Sequence, residues 1–416
     1  MTMGVKEVKI AVINGSPKGE NSITFQSVRY LEKRFQDDFM ILQAGASIED
    51  LKQDMGIATA VLEAADLILF SYSVQAGMAP AELMEFMELL KEMKPDLAGK
   101  HGTQILTSTH FLDITAKAYV ENCMSDFGIK ALPAFSAEGY DLLTKPGQLE
   151  LLKYWNYITF CVKEECSALA ADIELNSEIY EEIRDEYRVV ILTDCEAENQ
   201  SLRDAIAEFR EVFPFETKLV NLRKYDESNW DVLQKKVATA DGIVYASSIR
   251  NHTMGPFFKR FEERNTLSEG WASDCNKQIM FLVDGDLSGE HDFCLMLRIH
   301  TQMRCCFETG IVSTASGQFH QELRTAAKRL TYALQHQMNL PGDFYQKAGR
   351  MLYLNEQSKL ETLYRVNSMA ESKLSTNIYE KLHSAPLSLF ATVIEGKSLT
   401  NALLEKIPMY DGFDFK

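Results

Sequence analysis

Between an apolar run that stops at Gly15 and a segment of helical periodicity lies INGSPKGENSIT, Ile13 to Thr24. Its residue types suit the capture of a phosphate. A strand that hands over to a helix through small and hydroxyl residues presents backbone N–H groups at the junction, where the helix dipole adds positive potential. Ser16, Ser22 and Thr24 add hydroxyl donors, Lys18 supplies a positive charge, and Asn21 is placed to cap the helix while holding the loop. The spacing is not GxxxxGK(S/T), which excludes a nucleotide triphosphatase loop, and it is not GxGxxG, which weakens a dinucleotide fold. The same residues also fit a well-capped strand-to-helix turn with no ligand, and that alternative stays open.

These residues need a frame. KIAVINGS, Lys9 to Ser16, reads as a strand buried on both faces, and Phe25, Val28, Leu31 and Phe35 follow at helical spacing. The alternation continues: a strand from Phe39, a helical stretch ending near Ala65, a strand from Asp66, and a helix carrying Leu83, Phe86, Met87 and Leu90. A strand from Gln104, a helix from Asp113 to Phe127, a strand from Ala131 to Ala137 and a long helix from Gln148 complete five strand–helix pairs. Such alternation predicts an α/β fold with a doubly wound parallel sheet. Ligands in these sheets lie beyond the carboxyl ends of the strands, so SYSVQAGMAP (Ser71 to Pro80) and TSTH (Thr107 to His110) belong with the first loop.

The pattern then restarts. RVVILTD from Arg188 echoes KIAVING from Lys9, and Leu202, Ile206, Phe209 and Phe213 mark the helix that follows. ADGIVYASS from Ala240 echoes ADLILFSYS from Ala65, Lys277 to Val283 parallels Lys100 to Leu106, and Gly310 parallels Gly128. A slowly drifting offset with retained element order predicts a tandem duplication. The expected division is residues 1–173 and 174–339, two doubly wound five-stranded parallel units, then a helical extension over 340–416. Asn176 to Tyr187 is expected as a linker helix, and Tyr410, Phe413 and Phe415 either dock the tail on a surface or belong to a frayed terminus.

The opening KIAVINGSPKGENS resembles that of the NADPH-dependent FMN reductases and iron–sulfur flavoproteins: strand, Gly-Ser-Pro, a basic residue, then Asn and a hydroxyl residue, with Ser22 where those families carry Thr. The resemblance implies that Ser16, Lys18, Asn21, Ser22, Ile23 and Thr24 wrap the FMN phosphate. It further implies that Ser71, Tyr72, Ser73, Val74, Gly77 and Met78 lie against the flavin ring, and that Thr107, Ser108, Thr109 and His110 line its polar edge. Tyr72 stands for the family's Pro and Val74 for its aromatic residue, so ring contact passes to Tyr72 or to backbone atoms. A surface histidine is the simpler reading of His110. Residues 45–56, where the iron–sulfur branch carries its cysteines, contain none, so no cluster is expected.

The second copy departs further. Asp194, Glu196 and Glu198 replace the small and basic residues of the first loop, and the fourth strand ends in Asp284-Gly285-Asp286. This copy is expected to have lost FMN. Arg250 and His252 are read as solvated loop residues, with a role in a site between the units as the alternative.

A net charge of −17 repels nucleic-acid backbones and anionic lipid, so neither is an expected partner. The start lacks the pattern of a signal peptide, and the eight cysteines lack metal-site spacing; they read as reduced thiols of a cytoplasmic protein. The function expected from the resemblance is transfer of electrons from NAD(P)H through FMN to a small-molecule or redox-protein acceptor, with a homodimer or an intramolecular pseudo-dimer as the assembly. No residue is assigned as a catalytic acid or base, and no metal is expected. Two alternatives remain: an electron shuttle without NAD(P)H activity, and a non-enzymatic scaffold on two flavodoxin-like folds.

Overall fold

The computed structural model describes residues 8–108, 113–138, 141–166, 186–226, 228–267 and 275–349. In the first unit the chain runs β1 (Ile10–Asn14), α1 (Ile23–Phe35), β2 (Phe39–Leu42), α2 (Ile48–Leu51), α3 (Gly56–Ala64) and β3 (Leu67–Ser73). Then follow α4 (Ala81–Met93), β4 (His101–Ser108), α5 (Asp113–Asp126), β5 (Lys130–Ala131), β6 (Phe135–Glu138) and α6 (Lys145–Cys166). The strand expected over 131–137 is two short pieces, both paired in parallel with β4. Pro133 lies in the gap, where it has no N–H for the ladder.

The second unit runs β7 (Val189–Thr193), α7 (Gln200–Val212), β8 (Thr217–Asn221), α8 (Trp230–Ala238), β9 (Gly242–Ser248) and α9 (Pro256–Leu267). It closes with β10 (Gln278–Asp284), α10 (His291–Met303), β11 (Phe307–Ser313) and α11 (Phe319–His336). The first sheet is ordered β2-β1-β3-β4 with β5 and β6 sharing the last place, and the second is ordered β8-β7-β9-β10-β11. All these pairings are parallel. Both sheets thus have the flavodoxin-like order 2-1-3-4-5 with helices on either face.

Strand alternation explains the layers. Ile10 and Val12 pack with Phe25, Val28, Leu31 and Trp155 on one face of the first sheet, while Ala11 and Ile13 pack with Leu62, Leu83 and Phe86 on the other. In the second sheet, Val189 and Ile191 meet α7 and α11, and Val190 and Leu192 meet α8, α9 and α10.

Corresponding residues perform the same local tasks. The Asp66 carboxylate accepts from Lys9 N at 3.0 Å, and that of Asp241 accepts from Arg188 N at 2.8 Å. Lys100 Nζ donates to the Ala65 carbonyl at 2.7 Å, as Lys277 Nζ does to the Ala240 carbonyl, so each lysine serves carbonyls at a helix C-terminus.

Helix α6 has a wide apolar face, with Leu151, Tyr154, Trp155, Tyr157, Ile158 and Cys161 buried. So wide a face needs cover beyond one sheet. The second unit supplies part of it, since Phe307, Tyr332, Ala333 and Met338 join the core built around α6. Beyond α11 the chain returns to the first unit, where Asp343 binds Lys117 Nζ at 2.9 Å and Phe344 N donates to Asp113 at 3.0 Å. The tail aromatics and the linker up to residue 185 lie outside the described residues. No helix among those described is long and apolar enough to cross a membrane.

Candidate flavin site

Asn14, the last residue of β1, organises the first loop from within. Its side chain is buried, donates to the Gly19 carbonyl at 3.0 Å and to Gln43 Oε1 at 2.7 Å, and accepts from Ser16 N at 3.2 Å. Three bonds on one amide fix the loop's path, because leaving such a buried group unpaired is costly. Gly19 holds a φ of +51°, a conformation glycine adopts without steric cost. At Gly45 a Cβ would lie 2.5 Å from the Gly15 carbonyl oxygen, so only glycine lets the loop after β2 press against the first.

Within this loop Ser16 Oγ accepts from Lys18 N at 3.3 Å. Asn21 lies in a single 3-10 turn, and Ser22 takes the N-cap place of α1 that the sequence assigned to Asn21. Ser22 makes no capping bond: its hydroxyl is fully buried and without a protein partner. Ser71 Oγ, on the facing end of β3, is in the same state. Buried hydroxyls are nearly always bonded, and an unpaired one costs about 1–3 kcal/mol. Two of them beside the first turn of α1, whose N–H groups have no intrahelical acceptors, make a donor-rich place suited to an anion. Lys18, Asn21 and Ile23 are exposed at its rim.

Thr24, Ser73 and Thr107 draw the three loops together. Thr24 Oγ1 lies 3.0 Å from Ser73 Oγ and 2.6 Å from Thr107 Oγ1. Val74 N donates to the Thr107 carbonyl at 2.9 Å. Gln75 and Met78 then exchange backbone bonds of 2.9 Å around Ala76 and Gly77, both left-handed, which forms a tight two-residue turn. Gly77 and Met78 are half-buried, as are Val74 and Ser108. Thr109 and His110 lie outside the described residues.

Tyr72 does not take the position the resemblance implied. Its ring is fully buried in the core on the α4 and α5 face, and its hydroxyl donates to Gln104 Oε1 at 2.6 Å. Burial pushes the phenol well above its ordinary pKa, and the Glu121 and Asp113 carboxylates add to the shift. The reason is strand alternation: Ile68, Phe70 and Tyr72 share one face, and Ser71 and Ser73 the other. Only the Tyr72 backbone remains beside the loops.

The second unit is built differently at the same end. Residues 194–199 join β7 to α7 where residues 15–22 join β1 to α1, so the loop is two residues shorter. Glu196 pairs with both Arg223 and Arg250, which hold its carboxyl below the ordinary range. Burial pushes Asp194 upward against the influence of Arg250 and Arg223. Arg250 and Thr253 exchange backbone bonds around left-handed Asn251 and His252, which repeats the tight turn at Gln75 to Met78. His252 is exposed beside Glu290, 3.0 Å away.

No family model and no curated protein matches the chain. Among solved structures it is similar to a flavodoxin, WrbA-like protein from Agrobacterium tumefaciens, at 16% identity and a TM-score of 0.29, over 36% of this chain and 99% of that one. An NADPH-quinone reductase from P. pentosaceus matches at 15% identity and a TM-score of 0.29, over 39% and 99%. An FMN-dependent NADH-azoreductase from Bacillus anthracis, in complex with FMN, matches at 14% identity and a TM-score of 0.29, over 39% and 100%.

Proposed function

We propose that the first unit binds FMN and that the protein is an FMN-dependent NAD(P)H oxidoreductase passing electrons to a small-molecule or redox-protein acceptor. The observation that carries the reading is the pair of buried, unpartnered hydroxyls, Ser22 Oγ and Ser71 Oγ, beside the start of α1. Ser22 and the first-turn N–H groups of α1 would hold the phosphate, with Lys18 at its rim. The turn from Gln75 to Met78 and the end of β4 would border the ring. FMN, when bound, supplies the redox chemistry, and this chain supplies binding, orientation and exclusion of water.

We further infer that the two units descend from a tandem duplication. The paired roles of Asp66 and Asp241, of Lys100 and Lys277, and the two tight turns support this. With the second unit seated on α6, the chain is proposed to work as an intramolecular pseudo-dimer in the cytoplasm.

The test is direct. Purified protein should be yellow, release FMN on denaturation and oxidise NADPH or NADH when a quinone or dye is supplied. Bound FMN without nicotinamide oxidation would make it an electron shuttle. Colourless protein that takes up no added FMN would leave a scaffold.

A further inference from the structure

Strand register allows the two units to be compared residue by residue. In the first sheet Ser73 is paired with Thr107, and in the second Ser248 is paired with Asp284. Thr24 is the second residue of α1 and Ser201 the second of α7. The three-hydroxyl cluster of the first unit therefore has a counterpart, Ser201, Ser248 and Asp284, in which a carboxylate replaces one hydroxyl.

That carboxylate is fully engaged. Asp284 Oδ1 accepts from Ser201 Oγ at 2.7 Å and Thr314 Oγ1 at 2.9 Å. Its Oδ2 accepts from Asn199 Nδ2 at 2.8 Å and Ser248 Oγ at 3.1 Å. Asn199 is the N-cap of α7, the place Ser22 holds in α1, and its own Oδ1 accepts from Leu202 N at 3.0 Å. Four neutral donors, two of them from the N-terminus of α7, thus converge on one negative group, the kind of arrangement by which proteins bind small oxyanions. The cap that is unpartnered in the first unit is satisfied in the second by a residue 85 positions away in sequence.

We propose that Asp284 is the built-in anion of the second unit, occupying its strand-end oxyanion position and thereby excluding a phosphate from it. The acids at the β7–α7 junction are secondary. Glu196 is paired with two arginines, whose charges also act on Asp194. Once the Asp284 charge is removed, its four donors are left to favour an anion. The proposal concerns the second unit alone and does not depend on FMN binding in the first.

The experiment uses the full chain and inorganic phosphate as the probe, with binding followed by titration calorimetry. Asp284→Ala and Asp284→Thr, the latter placing the residue type of Thr107, should each show one phosphate site more than the parent. Adding Ser201→Ala to either variant should weaken that site about tenfold, the loss of one hydrogen bond to a charged group. A variant that folds only when phosphate is supplied supports the assignment equally. The assignment is overturned if the folded variants bind phosphate as the parent does, or if phosphate fails to rescue unfolded ones.

Discussion

Tyr157 and Phe307 meet edge to face, ring centroids 5.0 Å apart, and the contact joins α6 of the first unit to β11 of the second. Tyr332 of α11 extends it, stacked on Phe160 at 4.3 Å. The units therefore share a core and are joined by more than their linker.

Truncating this seam should cost more than a surface change and should uncouple the units. Tyr332→Ala removes a buried ring, and large aromatic truncations cost on the order of 3–5 kcal/mol. Calorimetry is expected to show one unfolding transition for the parent and two for the variant. A fragment of residues 1–173 would expose Tyr157 and Phe160, so its flavin affinity reports seam loss together with any loss of a shared site.

Ser22→Ala should have opposite effects with and without ligand. Its hydroxyl is buried and unpartnered, so its removal should leave the flavin-free protein as stable as before or more so. FMN retention should weaken by about 1.5–3 kcal/mol, the worth of a hydrogen bond to a charged phosphate. Thermal unfolding with and without added FMN reads both signs. Equal retention in Ser22→Ala would place the phosphate elsewhere.

The strands were legible because runs such as IAVIN must be covered on both faces. The echoes at Asp66 and Asp241, and at Lys100 and Lys277, were visible because each performs a task that demands its residue type. Pro133 foretells the break between β5 and β6. Of the two contacts left open at Tyr72, side chain or backbone, the buried ring leaves the backbone, and alternation along LILFSYS already turns the side chain from Ser71 and Ser73. Two roles were not readable: Asn14 binds residues on two loops, and the partners of Asp284 come from three other segments. Tertiary convergence leaves no mark on local spacing.

Glu308 should make the protein less stable as pH rises toward neutrality. Burial pushes its carboxyl up to about 7, with Glu121 raising it further and Arg298 opposing. Unfolded, a glutamate titrates near about 4.3. Between these values the folded chain holds a proton that the unfolded chain releases, so this contribution is full below the lower value and lost through the upper. His336, lowered to about 4 by burial and Lys153, acts in the other direction, losing stability as pH falls from about 6.5. At pH 8 His336 is neutral in both states, which isolates the glutamate. Glu308→Gln should exceed the parent by about 1–3 kcal/mol there in urea unfolding, and the gain should shrink toward pH 5.

The last expectation is a flavin stoichiometry near one per chain. Both units have the flavodoxin-like strand order, so fold alone would permit two. The strand ends decide against it. The first unit offers an eight-residue loop, residues 15–22, shaped by Asn14 and carrying the unpartnered hydroxyl of Ser22, whereas the second offers residues 194–199 with Arg223 and Arg250 spent on Glu196. Its serines at α7 and β9 already bind a carboxylate, and a phosphate placed there would meet that charge at close range in a partly desolvated setting. Protein reconstituted with excess FMN and freed of unbound flavin should give about one FMN per chain by absorbance against amino-acid analysis. A ratio near two would show that the second unit holds a flavin as the first does, and would overturn this reading of its strand ends.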